Sequence, residues 1–244
     1  MSEIALRFSG VSKSYGRAAV LHDVSFEVAS GEFFGLVGVN GAGKTTLLKC
    51  LLDFCETDGG GIEIFGTAHR QTAARRRLAF LPERFNPPYY LTGEDFIRYV
   101  IEMQSTAYDR DEAERMLRTL DLDLVALKLP VRAYSKGMTQ KLGLAACFLS
   151  HKDLYVLDEP TSGLDPKARA LLNAHLRELK QRERTVFFTS HALADVAEVC
   201  DRVAVMHAGT LRFAGTPGAL CRQYASADLE QAFLRCIERV AQPA

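Results

Sequence analysis

Residues 38 to 46 read GVNGAGKTT, and this stretch limits the possible folds more than any other part of the chain. It matches the phosphate-binding loop pattern GxxxxGK[ST], with Gly38, Gly43, Lys44 and Thr45 at the specified positions. The apolar segment GEFFGLV before it is typical of a buried strand, and LLKCLL after it has helical spacing. A strand, a glycine loop and a helix in this order predict an α/β domain that binds a nucleotide.

The residue types in this loop suit a phosphate ligand. Glycines let backbone N–H groups approach an anion without a Cβ in the way, and the helix that follows directs its positive end at the same anion. Lys44 would reach the β- and γ-phosphates, and the Thr45 hydroxyl would bind the accompanying Mg²⁺. Asn40, Gly41 and Thr46 belong to the same predicted site. The alternative, a glycine-rich turn without a ligand, does not account for this many specified positions.

Bulk composition indicates a globular protein of one large domain or two small ones. Hydrophobic residues make up 48% of the 244 positions, and 30 Lys and Arg balance 30 Asp and Glu. This balance gives no overall field for a polyanion, so no nucleic-acid partner is expected. The cysteines have neither CxxC spacing nor a nearby His at zinc spacing, which predicts buried, reduced thiols at Cys50, Cys55, Cys147, Cys200, Cys221 and Cys236.

The sequence also predicts a cytoplasmic location. MSEIALRFSG contains no basic segment followed by an apolar stretch, so a secretory signal is not expected. Among the longest apolar runs is LGLAACFL at 142 to 149, which is far short of the roughly 18 to 20 residues that a membrane-spanning helix needs.

Periodicity and turn residues predict alternating strands and helices around a helical insertion. Residues 9 to 16 and the segment around Gly31 are expected to be turns, Thr92 with Asp95 to cap a helix, and Gly209 to join a terminal hairpin. Predicted strands cover 4 to 8, 24 to 28, 32 to 37, 76 to 82, 154 to 158 and 185 to 190, predicted helices dominate 92 to 150, and an amphipathic tail helix covers 226 to 240.

Two carboxylates directly follow an apolar strand in LYVLDEP at 154 to 160. Open α/β folds bind ligands at the carboxyl ends of their strands, where Asp158 and Glu159 would emerge. Asp158 suits Mg²⁺, and Glu159 suits an attacking water in line with a γ-phosphate. Taken alone, the pair could equally end a strand at a solvated turn.

The chain resembles the ATP-binding subunits of ATP-binding cassette (ABC) transporters, and the resemblance covers residues 4 to about 217. Several motifs stand in the order typical of that family. Besides the phosphate loop and LYVLDEP, these are Tyr15 at an adenine-stacking position, YSKGMTQ as the signature, SGLDP at 162 to 166, and His191 at the switch position.

The resemblance implies an α/β P-loop ATPase core with a mostly parallel sheet, an N-terminal antiparallel β subdomain and an inserted α-helical subdomain. The ATP-binding domain would span 1 to 225, with core segments 1 to 82 and 151 to 225, helical insertion 83 to 150, and a C-terminal tail at 226 to 244. It also implies ATP and Mg²⁺ as ligands, a head-to-tail homodimer around two ATP molecules, and a separate transmembrane permease that holds the chain at the inner face of the membrane.

In such a dimer, Ser135 and Gly137 would reach the γ-phosphate held by the other subunit. Asp165 would connect the two sites, and His191 would hold Glu159 and water in line. Each position also has an ordinary interpretation, because Ser135 and Asp165 are good helix N-caps, His191 could begin a helix, and Tyr15 could only pack.

Two positions depart from the family pattern. Glu83 replaces the usual glutamine after the strand ending near Pro82, so a charged Mg²⁺ ligand or hydrogen-bond acceptor replaces an amide. The signature keeps Ser135 and Gly137 but has Tyr134, Lys136 and Met138 where LSGGQ is usual. FLPE, LTGED and YSKGM together are most similar to the subgroup serving bacterial export-type (ABC-2-like) permeases.

Two other functions remain open from the sequence. One is a non-transport ABC ATPase that acts as a nucleotide-gated clamp on nucleic acid or the ribosome. The other is an unrelated P-loop enzyme such as a small-molecule kinase.

The segment from Glu83 to Tyr99 is the predicted permease-docking surface, although it could equally be a rigid loop.

Overall fold

The computed structural model describes residues 3–104 and 106–238. Strands and helices alternate through most of this part of the chain. The strands are β1 (Ile4–Tyr15), β2 (Ala18–Ala29), β3 (Phe33–Val37), β4 (Gly59–Ile64), β5 (Thr67–Ala68), β6 (Leu78–Leu81), β7 (Leu154–Asp158), β8 (Thr185–Ser190), β9 (Arg202–His207) and β10 (Thr210–Gly215). The α-helices are α1 (Lys44–Leu51), α2 (Thr72–Arg75), α3 (Gly93–Met103), α4 (Arg110–Thr119), α5 (Lys136–Phe148), α6 (Pro166–Gln181), α7 (Leu193–Val199), α8 (Pro217–Gln223) and α9 (Leu229–Glu238).

Two sheets form the body of the molecule. The four-stranded sheet has the order β2-β1-β4-β5 and its pairs are antiparallel. The six-stranded sheet has the order β10-β9-β3-β8-β7-β6, in which β10 is antiparallel to β9 and the other neighbours are parallel. β3, β7 and β8 are buried at every position, as expected for parallel strands covered on both faces. This confirms the predicted α/β class.

The first two strands are longer than predicted, and the expected turn at 9 to 16 is wrong. β1 continues to Tyr15 through several register shifts against β2, one of them between Phe8 and Val11. Gly10 adopts φ +63°, a left-handed conformation that lets the strand bulge and resume its pairing. The chain reverses only after Tyr15, where Gly16 has φ +60°.

The helical insertion starts as predicted. Thr92 caps α3 and forms a capping box with Asp95, so each side chain bonds to the other's backbone N–H. Helices α3, α4 and α5 bury apolar faces that include Ile97, Leu117 and Leu144. The insertion therefore packs as one body against the edge of the six-stranded sheet near β6.

The segment after the β9–β10 hairpin holds one helix more than predicted. The β9–β10 hairpin turns at Ala208 and Gly209, which both have positive φ, as a tight two-residue turn requires. After it, Thr216 caps α8, which the sequence did not predict, and α9 follows. Phe233 and Cys236 anchor α9 in the core, while predicted helix residues 239 and 240 lie outside the described residues.

Candidate nucleotide-binding site

The predicted phosphate-binding and catalytic residues lie at the carboxyl-terminal ends of four neighbouring strands of the six-stranded sheet. The phosphate loop follows β3, His191 follows β8, Asp158 ends β7, and Glu83 follows β6. In register, Val37 is paired with Ser190, and Asp158 with Thr189. The phosphate loop, the three carboxylates, His191 and Val20 together line one cleft. Its residues are Val20, Val39, Asn40, Gly41, Ala42, Gly43, Lys44, Thr45, Thr46, Glu83, Asp158, Glu159 and His191.

The loop backbone needs its glycines. Gly41 and Gly43 have φ of +80° and +104°, a region that side-chain-bearing residues rarely adopt. A Cβ at Gly38 would lie 2.5 Å from the Met206 carbonyl oxygen, which excludes a side chain there. The glycines therefore permit a close backbone cradle at the start of α1, which suits a phosphate.

Lys44 lies at the bottom of this cradle. It is 8% exposed, and its Nζ donates to the Gly38 carbonyl at 2.5 Å and to the Val39 carbonyl at 3.4 Å. Burial lowers the Lys44 pKa, while the carboxylates of Glu159, Asp158 and Glu83 act to raise it. A buried cation bonded to neutral carbonyls at the base of a glycine cradle fits a polyanionic ligand such as a nucleotide phosphate.

The side chains of Glu159 and His191 are in hydrogen-bonding contact in the cleft. His191 Nδ1 lies 2.8 Å from Glu159 Oε2, and the Glu159 side chain is 9% exposed while that of His191 is 64% exposed. Burial raises the Glu159 pKa, although His191 partly opposes the shift. Glu159 also has φ +50°, an uncommon conformation for a glutamate and one often found at functional positions.

Thr189 fixes both carboxylate-bearing residues, and sequence reasoning missed it. Its hydroxyl donates to Asp158 Oδ1 at 2.5 Å and accepts from the Glu159 N–H at 3.2 Å. Burial raises the Asp158 pKa, and the Thr189 hydrogen bond opposes that rise. The only sequence signal was a polar residue inside the apolar strand TVFFTS, two positions before His191.

The predicted Mg²⁺ donors are hard oxygen atoms that share this cleft. Thr45 is exposed at the start of α1, and Glu83 and Asp158 line the same cleft. Across residues 3–104 and 106–238, no three His, Cys, Asp or Glu side chains converge as a complete metal cage. In nucleotide sites, Mg²⁺ is usually held by one or two carboxylates together with phosphate oxygens and water, and the Asp158 and Glu83 side chains supply such carboxylates.

Four predicted site residues lie elsewhere. Tyr15 ends β1, is 48% exposed, and does not line the cleft. Ser135 caps α5 by accepting from the Met138 N–H, and Asp165 caps α6 by accepting from the Ala168 N–H. Gly137 lies in the first turn of α5, where a Cβ added to it would be 3.1 Å from the Gly163 carbonyl oxygen. The predicted N-cap functions of Ser135 and Asp165 are thus confirmed, and neither residue touches the cleft of its own chain.

Comparison with known proteins identifies the family. The family model described as ABC transporter matches residues 21–162. The chain belongs to the ABC transporter family. Members of this family are ATPases, which supports ATP binding and hydrolysis by this ABC chain.

Individual ABC relatives extend the match over most of the chain. Nod factor export ATP-binding protein I of Paraburkholderia xenovorans is 36% identical over 96% of this chain and 78% of that protein. An uncharacterized ABC transporter ATP-binding protein of Synechocystis sp. is 38% identical over 80% of this chain, but the match spans only 56% of that relative.

Solved structures agree with the fold. A structure described as the ATP binding subunit of an ABC transporter superposes with a TM-score of 0.84 at 30% identity, over 95% of this chain and 99% of that one. A bacterial Atm1-family ABC exporter with ATP bound has a TM-score of 0.82 at 23% identity and shares the fold over 43% of its length. Within the described part of this chain, no helix combines the length and apolar content that crossing a bilayer requires.

Proposed function

We propose that this chain hydrolyses ATP to drive a separate membrane permease of the export type, as one half of a head-to-tail homodimer that is peripheral on the cytoplasmic face of the inner membrane. The observation that carries this proposal is the arrangement of Lys44 and Glu159 in one cleft, with Glu159 held 2.8 Å from His191. The relatives include export ATP-binding proteins, which supports the transport part of the proposal.

Each cleft residue has a distinct proposed task. Lys44 and the N–H groups at the start of α1 bind the β- and γ-phosphates. Thr45, Asp158 and Glu83 would hold Mg²⁺, which neutralises phosphate charge when bound. Glu159 orients a water and accepts its proton, a task for which the raised pKa brings it closer to neutral pH. His191 keeps the Glu159 carboxylate oriented towards the γ-phosphate.

A second copy of the chain would complete each site. Ser135 and Gly137 stand at the start of α5, away from the cleft of their own chain, where the helix dipole favours an anion. We propose that they contact the γ-phosphate held by the partner, that Asp165 links the two sites, and that Tyr15 stacks on adenine. The division into an ATP-binding domain at 1 to 225 and a tail at 226 to 244 belongs to the same proposal.

Replacing Glu159 with Gln tests the proposal. The amide keeps the shape of the side chain but cannot accept a proton, so E159Q should lose ATP turnover and accumulate as an ATP-bound dimer. Light scattering after size exclusion, with and without ATP and Mg²⁺, measures the dimer, and phosphate release measures turnover. E102Q on the exposed face of α3 is the matched control and should behave as wild type.

An E159Q protein that binds ATP and stays monomeric would count against the proposed dimer and so against the transport motor. A nucleotide-gated clamp is disfavoured by the balanced charge of the chain, and a salt-sensitive shift of nucleic acid by the purified protein would revive it.

A further inference from the structure

Two cysteine thiols lie in contact beside Tyr15. Cys50 is in the last turn of α1 and is fully buried, whereas Cys55 is partly exposed. Their sulfur atoms are 3.6 Å apart. The contact therefore joins an accessible thiol to an inaccessible one.

The backbone holds this pair together. After α1, Asp53 adopts φ +62° and the chain turns back on the helix. The N–H groups of Phe54 and Cys55 both donate to the Lys49 carbonyl, at 2.8 and 3.3 Å. Cys55 is thereby held beside the peptide unit that precedes Cys50, and a disulfide requires the two sulfur atoms to approach from 3.6 Å to roughly 2.0 Å.

The same cluster reaches Tyr15. The Tyr15 hydroxyl donates to the Cys55 sulfur at 3.6 Å, and the Lys13 ammonium lies 5.6 Å from the Tyr15 ring centre. Any change at the Cys55 sulfur therefore alters the contact that orients Tyr15.

We propose that Cys50 and Cys55 form a reversible intramolecular disulfide under mild oxidation, and that this modification weakens nucleotide binding by displacing Tyr15. The second half rests on the adenine-stacking function proposed for Tyr15 above. The first half stands on the thiol contact alone.

The reaction balances with hydrogen peroxide as the oxidant. The Cys55 thiolate attacks one peroxide oxygen, so an S–O bond forms, the O–O bond breaks, and water leaves after protonation. The Cys50 sulfur then attacks the Cys55 sulfur, the S–S bond forms, and the S–O bond breaks. The leaving hydroxide takes the Cys50 proton as a second water. Two thiols are oxidised, one peroxide is reduced, and a dithiol reverses the change.

Burial determines the order of these steps. It raises the Cys50 pKa to about 12, so Cys50 is a poor first nucleophile. Cys55 is the accessible partner and meets the oxidant first, after which proximity lets Cys50 close the disulfide before Cys55 is oxidised further.

The first test detects the disulfide without nucleotide. The reduced full-length chain is exposed to a small molar excess of hydrogen peroxide, free thiols are blocked with N-ethylmaleimide, and peptides are analysed by mass spectrometry. A linked Cys50–Cys55 peptide should form in wild type and in the control C221S, whose altered thiol is partly exposed on α8. It should be absent in C55S and should disappear with dithiothreitol. Peroxide-treated wild type with both thiols fully blocked, or with Cys55 overoxidised and unlinked, would overturn the proposal.

The second test measures the consequence. Titration with a fluorescent ATP analogue should give a Kd about two- to tenfold higher for oxidised than for reduced wild type, the range expected on losing an aromatic stacking contact. C55S should show no change with peroxide, and Y15A should bind weakly in both states. An unchanged Kd for the linked protein would overturn the link to binding. A reduced wild-type chain that binds no nucleotide would contradict the proposed function instead, and the linked peptide would still decide the disulfide.

Discussion

At the scale of single residues, one buried hydroxyl organises the reactive end of the cleft. Thr189 bonds to the Asp158 carboxylate and to the Glu159 backbone, so a single side chain sets the position of the proposed Mg²⁺ ligand and of the proposed base. Removing the hydrogen-bond donor of a buried acceptor lowers the free energy of unfolding by about 1–3 kcal/mol. Thr189 is thus a positioning residue whose effect should reach the chemistry through its neighbours.

Replacing Thr189 with Val removes the hydroxyl and keeps the shape. The Asp158 pKa should rise further, because the Thr189 hydrogen bond now opposes its upward shift. We expect T189V to need a several-fold higher Mg²⁺ concentration for half-maximal ATP hydrolysis, and more so at pH 6.5 than at pH 8. Mg²⁺ titrations at both pH values measure this. T189S restores the hydroxyl and should recover the wild-type dependence; a T189V curve that overlays wild type would contradict the assignment.

Glu83 is the predicted site residue whose function is least defined by the family pattern, because a glutamine is usual there. It lines the nucleotide cleft and also a second cleft with Arg84 and Tyr134 in the helical insertion. Its carboxylate contributes to the raised pKa of Asp158, a repulsion that a neutral glutamine would not cause. A cation between the two carboxylates would relieve that repulsion.

At the scale of elements, the buried side chain of His175 on α6 packs against Phe148 of α5. His175 is 5% exposed, and its ring centre lies 4.6 Å from that of Phe148 with the ring planes tilted by 53°. Within the described structure neither ring nitrogen forms a hydrogen bond, and Nδ1 is 3.5 Å from the Glu178 carboxylate. Burial lowers the His175 pKa, because the apolar contact disfavours the charged ring.

The lowered pKa of His175 determines how the folding stability changes with pH. The unfolded chain takes up the His175 proton near pH 6.5, whereas the folded chain takes it up only at a lower pH. The stability contribution is therefore complete above pH 6.5 and is lost as the pH falls towards the folded pKa. We expect H175F to be close to wild type in melting temperature at pH 7.5 and more stable than wild type at pH 5.5.

Thermal unfolding at the two pH values checks this expectation. H151Q, which changes an exposed histidine, is the control and should follow the wild-type pH dependence more closely than H175F does. A difference between H175F and wild type that is the same at pH 7.5 and pH 5.5 would show that His175 does not titrate between them.

At the scale of the whole molecule, an apolar cleft next to the nucleotide site offers a place for a partner. Phe54 is 68% exposed and packs edge-on against Phe80 at 6.2 Å. Leu52, Pro82 and Arg84 line the same cleft, which shares Thr45, Glu83 and Asp158 with the nucleotide site. A permease segment bound there would contact residues that also line the nucleotide cleft.

The predicted docking segment from Glu83 to Tyr99 contains the exposed pair Tyr89 and Tyr90. Their rings are 67% and 66% exposed and contact each other edge-to-face at 5.5 Å. Exposed aromatic side chains are enriched in protein interfaces. We expect replacement of both by Ser to abolish copurification with the membrane partner while leaving ATP binding intact.

V125S is the matched control for that experiment, since Val125 is an apolar residue of the same insertion that is 60% exposed and does not line the cleft. Copurification from native membranes should survive in the control. A double tyrosine variant that still copurifies at the wild-type level would rule out this segment as the docking surface.

The sequence alone determined the α/β class, the phosphate loop, the two carboxylates and the helix caps at Thr92, Ser135 and Asp165. These depend on local chemistry, because glycine torsions, cap hydrogen bonds and apolar periodicity act over a few residues. The turn predicted at 9 to 16 was wrong for the same reason: pairing with β2 and β4 overrode the local signal. Two of the cysteines predicted as buried, Cys55 and Cys221, are partly exposed.

Only the tertiary structure decided which distant residues meet. The order β3-β8-β7 places Thr189 beside Asp158 and His191 beside Glu159, although more than 30 residues separate the partners in the sequence. The return of the chain after α1 likewise sets Cys50 against Cys55 and Tyr15. Strand order and chain reversal depend on packing summed over the whole core, which no local pattern contains. Thus the sequence identified a nucleotide site, and the fold supplied the residues that hold and adjust it.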